Sequence, residues 1–185
     1  MRLVFIGPPG AGKGTQAAML IERYKLAHLS TGDMLRAARD AKTDVGLDAE
    51  KYMSAGMLVP DNVIMDIIAE RLKQSDCKQG YLLDGFPRTI AQAEALDAML
   101  GKKRTPLDAV LEIRVPEAEL FKRLASRGRA DDVPEVIHQR LASYRKQTEP
   151  LLAYYTKCGL LKGIDGVGTV EEIFNRATAV LDRLA

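Results

Sequence analysis

One short stretch near the start of the chain limits the fold more than anything that follows it. Leu3-Val4-Phe5-Ile6 is an uninterrupted apolar run of strand length, and Gly7-Pro8-Pro9-Gly10-Ala11-Gly12-Lys13-Gly14-Thr15 comes directly after it. A continuous apolar run ending in glycine and proline is the pattern of a strand buried on both faces. Past the loop, Ala17, Leu20, Ile21 and Tyr24 fall at i, i+3, i+4 and i+7, the stripe of an amphipathic helix. Strand, glycine-rich turn and helix in that order make a phosphate-binding loop. Its glycines let successive backbone N–H groups turn inward toward a polyphosphate, and the helix N-terminus adds partial positive charge. Lys13 supplies a mobile point charge for the β- and γ-phosphates. The hydroxyl stands on Thr15, with Gly14 intervening, one place beyond the strict GxxxxGK[ST] pattern. A Mg²⁺ ion brought by the nucleotide is therefore expected to lean on phosphates and water.

Apolar runs and amphipathic stretches alternate along the rest of the chain. Tyr81 to Leu83, Ala109 to Val115 and Leu160 to Ile164 read as further strands. Ser30-x-x-Asp33 looks like a capping box opening a helix that carries Met34, Leu35, Ala37 and Ala38. Helices are also predicted over Val45 to Ala55, over a stretch capped by Asp61, and over Ile90 to Leu100, Glu117 to Leu124 and Val170 to Leu184. A long helical pattern starts near Pro134, with Pro150 expected to bend or break it. Strands separated by helices indicate an α/β fold, a parallel sheet flanked by helices on both faces. The stretch from about Ser30 to Val59 is more than one crossover needs and reads as an inserted helical arm.

Composition narrows the class. With 185 residues, 46% of them hydrophobic, the chain fits one domain with a substantial core. Twenty-seven basic against 25 acidic residues leave a net charge of +2, too little to mark a general nucleic-acid or membrane-surface binder. Cys77 and Cys158 sit in no CxxC pair, so neither a disulfide framework nor a cysteine zinc site is written here. The first apolar run is too short for a signal peptide or a membrane span. A cytoplasmic protein is expected, with neither nucleic acid nor membrane as partner. The only asparagines, Asn62 and Asn175, lie outside any Asn-Lys-x-Asp base-reading motif, which argues against a GTPase switch. Small kinases that phosphorylate a metabolite remain.

Three more segments bear on the acceptor. Thr31-Gly32-Asp33-Met34-Leu35-Arg36 puts an arginine just after a helix start in the arm. Asp84-Gly85-Phe86-Pro87-Arg88-Thr89-Ile90-Ala91-Gln92 puts an acid, an arginine and an amide at a strand end, where ligands bind in such sheets. Between Glu119 and Lys146, seven Lys and Arg stand against four Asp and Glu, so this segment alone carries +3. Arg123, Arg127, Arg129 and Arg140 are its arginine cluster.

With these segments in hand, the sequence resembles the adenylate kinase family, which makes two ADP from ATP and AMP. GPPGAGKGTQ, STGDMLR, GMLVPD, DGFPRTIAQ, RGRADD and HQRLASYRKQTEPL all match, in order and over most of the chain. The resemblance implies a single kinase domain over 1–185, an AMP arm at 30–59 and a short lid at 126–136. It also implies ATP and AMP as substrates, Mg²⁺ arriving with ATP, no zinc, and a monomer. Gly10, Ala11, Gly12, Lys13, Gly14 and Thr15 would cradle the phosphates of ATP, Arg123 and Arg127 would face that nucleotide, and Gly168 would approach its adenine. Thr31 and Gln92 would contact the AMP base, near which Met57, Leu58 and Val59 pass by their backbone. Arg36 and Arg88 would grip the AMP phosphate beside Gly85, Phe86 and Pro87. Arg129 and Arg140 would hold the transferring group and the acceptor, and Asp84 would hold Mg²⁺ through water. His28 and His138 read as structural. Lys13, Arg88, Arg123, Arg127, Arg129 and Arg140 would form the catalytic cage, with no general base, since a phosphate oxygen is already ionised. A UMP/CMP kinase of the same fold is the nearest alternative, and a non-catalytic nucleotide-binding regulator a more distant one.

Overall fold

The computed structural model describes residues 1–128 and 133–184. Five parallel strands form one sheet in the order β2-β3-β1-β4-β5. They are β1 (Arg2–Ile6), β2 (Ala27–Ser30), β3 (Tyr81–Asp84), β4 (Ala109–Arg114) and β5 (Leu161–Asp165). Nine helices lie among the described residues: α1 (Lys13–Tyr24), α2 (Thr31–Asp40), α3 (Asp44–Ser54), α4 (Asp61–Arg71), α5 (Ile90–Lys102), α6 (Glu117–Arg127), α7 (Pro134–Ser143), α8 (Pro150–Lys157) and α9 (Val170–Leu181). Among these residues no helix is long and apolar enough to cross a membrane.

The period-2 alternation of β1 divides the core. Val4 and Ile6 point into one layer, with Leu29, Leu83, Ile64, Ile68, Leu96, Leu151 and Tyr155. Leu3 and Phe5 point into the other, with Leu20, Leu82, Leu111, Leu124, Ile173 and Leu181. Both faces of the sheet are therefore dry, as a parallel sheet requires. Cutting Leu82 or Leu83 to Ala is expected to cost about 2–5 kcal/mol, because neither layer has slack to close the hole.

The winding places the site. From β1 the chain goes to one side through β2 and β3, then to the other through β4 and β5. The carboxyl end of β1 thus stands where the winding reverses, the crevice position of open α/β sheets. Register brings Phe5, Asp84 and Ser30 into one row there.

Several expectations are corrected. The strand β2 is absent from the sequence reading; its four residues run straight into α2, so Ser30 ends a strand and caps a helix at once. The capping box at Ser30 is only half made: Ser30 accepts from the Asp33 N–H, while the Asp33 carboxylate pairs with Arg36. Asp61 does not cap α4. Pro60 holds the cap position, and the Asp61 carboxylate accepts from Thr89 and Gln92 instead. The break expected at Pro150 comes as a wide π turn over Tyr144–Thr148, in which the Glu149 N–H reaches the Tyr144 carbonyl. A proline cannot donate to the ladder and its ring crowds the preceding turn, so the widening falls just before it.

Helices α2 and α3 pack backbone against backbone at Gly46. A Cβ at Gly46 would lie 2.2 Å from the backbone of Ala38 and Arg39, so only glycine fits. Thr43 fixes the turn between them, accepting from the Gly46 N–H and donating to the Ala38 carbonyl.

Candidate active site

A cleft of about 790 Å³ opens at the carboxyl end of β1. Its floor is the glycine-rich loop between β1 and α1. Gly10 has φ +85°, and its missing Cβ leaves room for Leu124, whose Cγ would otherwise be 2.9 Å away; the loop therefore rests directly on α6. Lys13 begins α1, and its ammonium donates to the carbonyls of Gly7 at 2.6 Å and Pro8 at 3.0 Å. Those bonds hold the charge over the loop. Gln16, buried one turn further, donates to the Val170 carbonyl and ties α1 to α9.

Asp84 ends β3 beside the loop, with 13% of its side chain exposed and His28 Nε2 3.8 Å from its carboxylate. Burial works to raise the Asp84 pKa, but the His28 ring and the charges of Lys13 and Arg88 together hold it below the usual carboxylate range. An anionic oxygen donor next to a phosphate loop suits Mg²⁺, which takes one or two carboxylates and completes its shell with phosphates and water. Among the described residues, no three His, Cys, Asp or Glu side chains come together as a ligand cluster.

The acceptor side is built from four segments. After β3 the chain turns through Gly85 and a cis Phe86-Pro87 bond to Arg88. The Arg88 Nε donates back to the Gly85 carbonyl at 2.7 Å, its N–H donates to Gln92 Oε1 at 2.7 Å, and its carbonyl accepts from Thr148 at 2.9 Å. Thr31, at the start of α2, donates to the same Gly85 carbonyl at 2.9 Å. Burial lowers the Arg88 pKa, and the positive charges of Arg140 and Arg36 lower it further, against the opposing pull of Asp84. The Arg88 guanidinium thus stands close enough to those of Arg36 and Arg140 to feel both charges. Together the three make a strongly positive pocket suited to a dianionic phosphate. The apolar wall beside it comes from Leu35, Met53, Leu58, Val59 and Ile64, with Met57 at the rim, 48% exposed.

Most of the predicted site residues line this one cleft. Gly10 to Thr15, Thr31, Arg36, Met57, Leu58, Val59, Asp84, Gly85, Pro87, Arg88, Gln92, Arg123 and Arg140 are all on its walls. Phe86 is fully buried in the core behind them. Gly168 lies in the loop before α9, packed on Glu172. That loop reaches the cleft through Arg123, which donates to the Gly166 carbonyl at 3.0 Å and pairs with Glu119. The Arg127 side chain and Arg129 lie outside the described residues.

The sequence reading missed His28, Ser143, Tyr144 and Thr148, which also line the cleft. Ser143 and Tyr144 stand three and four places after Arg140, the same face of a helix, so helical spacing would have found them. Thr148 stands eight places after Arg140, on the same stripe, so helical spacing would have found it too. His28 was hidden with β2 itself. Asp61, in contact with Gln92 behind the wall, gave no signal beyond a helix start.

Comparison of the sequence with known proteins supplies the family. A sequence model described as adenylate kinase matches residues 5–160. The adenylate kinase of Nitrobacter winogradskyi is 52% identical, over 99% of this chain and 94% of its own length. That of Methylobacterium nodulans is 50% identical, over 99% and 96%. The adenylate kinase of Thermodesulfovibrio yellowstonii is 47% identical, over 99% of this chain and its entire length. The last alignment runs over 214 positions against the 185 residues here, so that relative carries residues with no counterpart in this chain. A family match over most of the chain and near-complete coverage at about half identity lead to one conclusion: this chain belongs to the adenylate kinase family.

Proposed function

We infer that this cleft transfers the γ-phosphoryl group of MgATP to AMP, giving two ADP, and runs the reverse reaction as well. The observation that carries the reading is continuity: one cleft runs from the Lys13 loop to the Arg36, Arg88 and Arg140 pocket. A donor and an acceptor phosphate seated at its two ends would face each other in line.

In this reading the loop from Gly10 to Thr15 holds the ATP phosphates, with Arg123 and the backbone near Gly168 along the rest of that nucleotide. Thr31, Gln92 and the segment Met57 to Val59 take the AMP base, and Arg36 and Arg88 take its phosphate, over the backbone of Gly85, Phe86 and Pro87. Arg127 and Arg129 approach from the lid at 126–136, and the arm at 30–59 carries Arg36. An AMP phosphate oxygen bonds to the γ-phosphorus while the bond to the β,γ-bridging oxygen breaks, and ADP departs with that electron pair. No proton moves at the attacking oxygen, so no side chain serves as base. Lys13, Arg88 and Arg140 supply positive charge where negative charge spreads over the equatorial oxygens. Asp84 is the residue that would hold Mg²⁺, through water, and the bound ion would supply charge neutralisation at the ATP phosphates. Splitting the cage between arm and lid keeps the reactive geometry from assembling on ATP alone, which limits transfer to water.

The test is a coupled assay in which ATP and Mg²⁺ meet AMP, CMP and UMP in turn. ADP formation with AMP, preferred over both pyrimidine nucleotides by orders of magnitude, is the expected result. Comparable kcat/KM for CMP would move the chain to the pyrimidine kinases.

A further inference from the structure

We propose that Asp61, which stands behind the cleft wall, fixes the side-chain amide of Gln92 in one orientation and so sets the preference for a 6-aminopurine over a 6-oxopurine nucleotide. The proposal rests on the reading above, that Gln92 faces the acceptor base.

Gln92 is 2% exposed, and its amide meets two partners that permit only one orientation. Its Nε2 donates to Asp61 Oδ1 at 2.6 Å, and its Oε1 accepts from the Arg88 backbone N–H at 2.7 Å. A carboxylate can only accept and a backbone N–H can only donate, so a flipped amide would set two acceptors against each other and two donors against each other. The second Asp61 oxygen accepts from the Thr89 hydroxyl at 3.0 Å, and the Thr89 oxygen accepts from the Gln92 N–H at 3.1 Å. The carboxylate thus clamps both the amide and the cap of the helix that carries it. Asp61 itself begins α4, directly after the Met57 to Val59 rim, so it ties the two walls of the base slot together.

One N–H and one Oε1 lone pair of Gln92 are left for the base. Adenine offers an exocyclic amino donor beside a ring-nitrogen acceptor and matches both. Hypoxanthine has a carbonyl where adenine has the amino group, and N1–H where adenine has a bare nitrogen. Against a fixed amide it meets acceptor with acceptor and donor with donor. An amide free to flip would take either base. The discrimination therefore lies in the clamp as much as in the glutamine, and Asp61 acts as a positioning residue.

The experiment measures kcat and KM for AMP and IMP at saturating MgATP in the wild type, Asp61→Ala, Asp61→Asn, Gln92→Leu and the Asp61→Ala/Gln92→Leu double variant. Asp61→Ala should shrink the AMP-over-IMP preference at least about tenfold, chiefly through KM, with the KM for MgATP unchanged within about twofold. Asp61→Asn should keep the preference within about threefold, because its Oδ1 still accepts from Gln92 while its Nδ2 donates to Thr89. In the Gln92→Leu background, Asp61→Ala should change the preference no further. Equal loss on both nucleotides, or an Asn variant as poor as the Ala variant, would reduce Asp61 to a structural or purely charge role and overturn the proposal. A second measurement needs no Asp61 variant. The Gln92 side-chain amide signals in a ¹H–¹⁵N spectrum of the wild type, identified by their loss in Gln92→Leu, should be shifted from those of free glutamine by the two hydrogen bonds that fix the amide. Signals at the positions of free glutamine would overturn it. The two levels fail differently: a wild type that makes no ADP from AMP defeats the function itself. A wild type that strongly prefers AMP, with a Gln92→Leu variant that prefers it equally, leaves the function standing and defeats the clamp.

Discussion

The phosphate loop at the donor end of the cleft holds its lysine over a few residues, whereas the acceptor pocket is closed by bonds that span the chain. Lys13 reaches carbonyls five and six positions back, inside one loop. On the acceptor side, Gln92 reaches Asp61 across 31 positions, Thr31 reaches Gly85 across 54, and Thr148 reaches Arg88 across 60. A locally closed loop keeps its shape as long as the strand before it and the helix after it exist. A pocket closed by long-range bonds keeps its shape only while four elements stay in register. Changes at the donor end should therefore act on chemistry with little loss of fold, and changes at the acceptor end should act on binding even from a distance.

The largest effect is expected from Lys13→Met. The Lys13 side chain lines the open cleft and donates to the Gly7 and Pro8 carbonyls rather than packing in the core, so the melting temperature should move little, while kcat falls by about 10³-fold, roughly 4 kcal/mol of barrier. Steady-state kinetics beside a thermal melt would check this, and turnover within about tenfold of wild type would remove Lys13 from the mechanism. Next comes Arg88→Lys, which keeps the charge but loses the planar fork and the Nε bond to Gly85. The kcat/KM for AMP should drop about 10²-fold while ATP binding, followed by titration, stays unchanged. An equal loss of ATP affinity would show that the two ends are not separable in the way their bonding suggests.

The same contrast decides what the sequence could reveal. The phosphate loop is legible because its chemistry and geometry are both written in consecutive residues: apolar strand, glycines, Lys13, amphipathic helix. The arginines Arg36 and Arg88 are legible through their place after a helix start and a strand end. Local pattern says nothing of what lies opposite a residue in space. Asp61 reads as a helix cap from its neighbours alone, yet its carboxylate is taken by a helix thirty residues on. β2 is unreadable for a related reason: four residues with one apolar pair make no period, and only the neighbouring β3 makes them a strand.

A smaller effect tests the arm alone. Gly46→Val would place a side chain where even a Cβ meets the Ala38 backbone at 2.2 Å, so α2 and α3 must separate. Arg36 rides on α2. The KM for AMP should rise about tenfold with the KM for ATP within about twofold, provided a cooperative melt shows the core intact. If both KM values rose together, the crossing of α2 and α3 would be supporting the sheet rather than the acceptor end.

The smallest effect concerns the group both ends share. Asp84 faces Lys13 from the donor side and Arg88 from the acceptor side, and burial, which raises its pKa, is outweighed by the His28 contact and those two charges. A carboxyl held below its ordinary value binds fewer protons in the folded state than in the unfolded state, so its contribution is fully present above pH about 4 and is lost as pH falls through the depressed value. Asp84→Asn should therefore lower Tm by about 3 °C at pH 7, and the gap to wild type should close on acidification below pH 4. The variant leaves Lys13 and Arg88 facing a neutral amide, so unscreened like charge is what it adds. In a Lys13→Met background the penalty of Asp84→Asn at pH 7 should shrink, because one of those cations is gone. In an Arg88→Lys background it should persist, because the charge remains. A penalty indifferent to Lys13 but sensitive to Arg88→Lys would assign Asp84 to the acceptor end alone, and the row of Phe5, Asp84 and Ser30 would join the two ends in position without coupling them in energy.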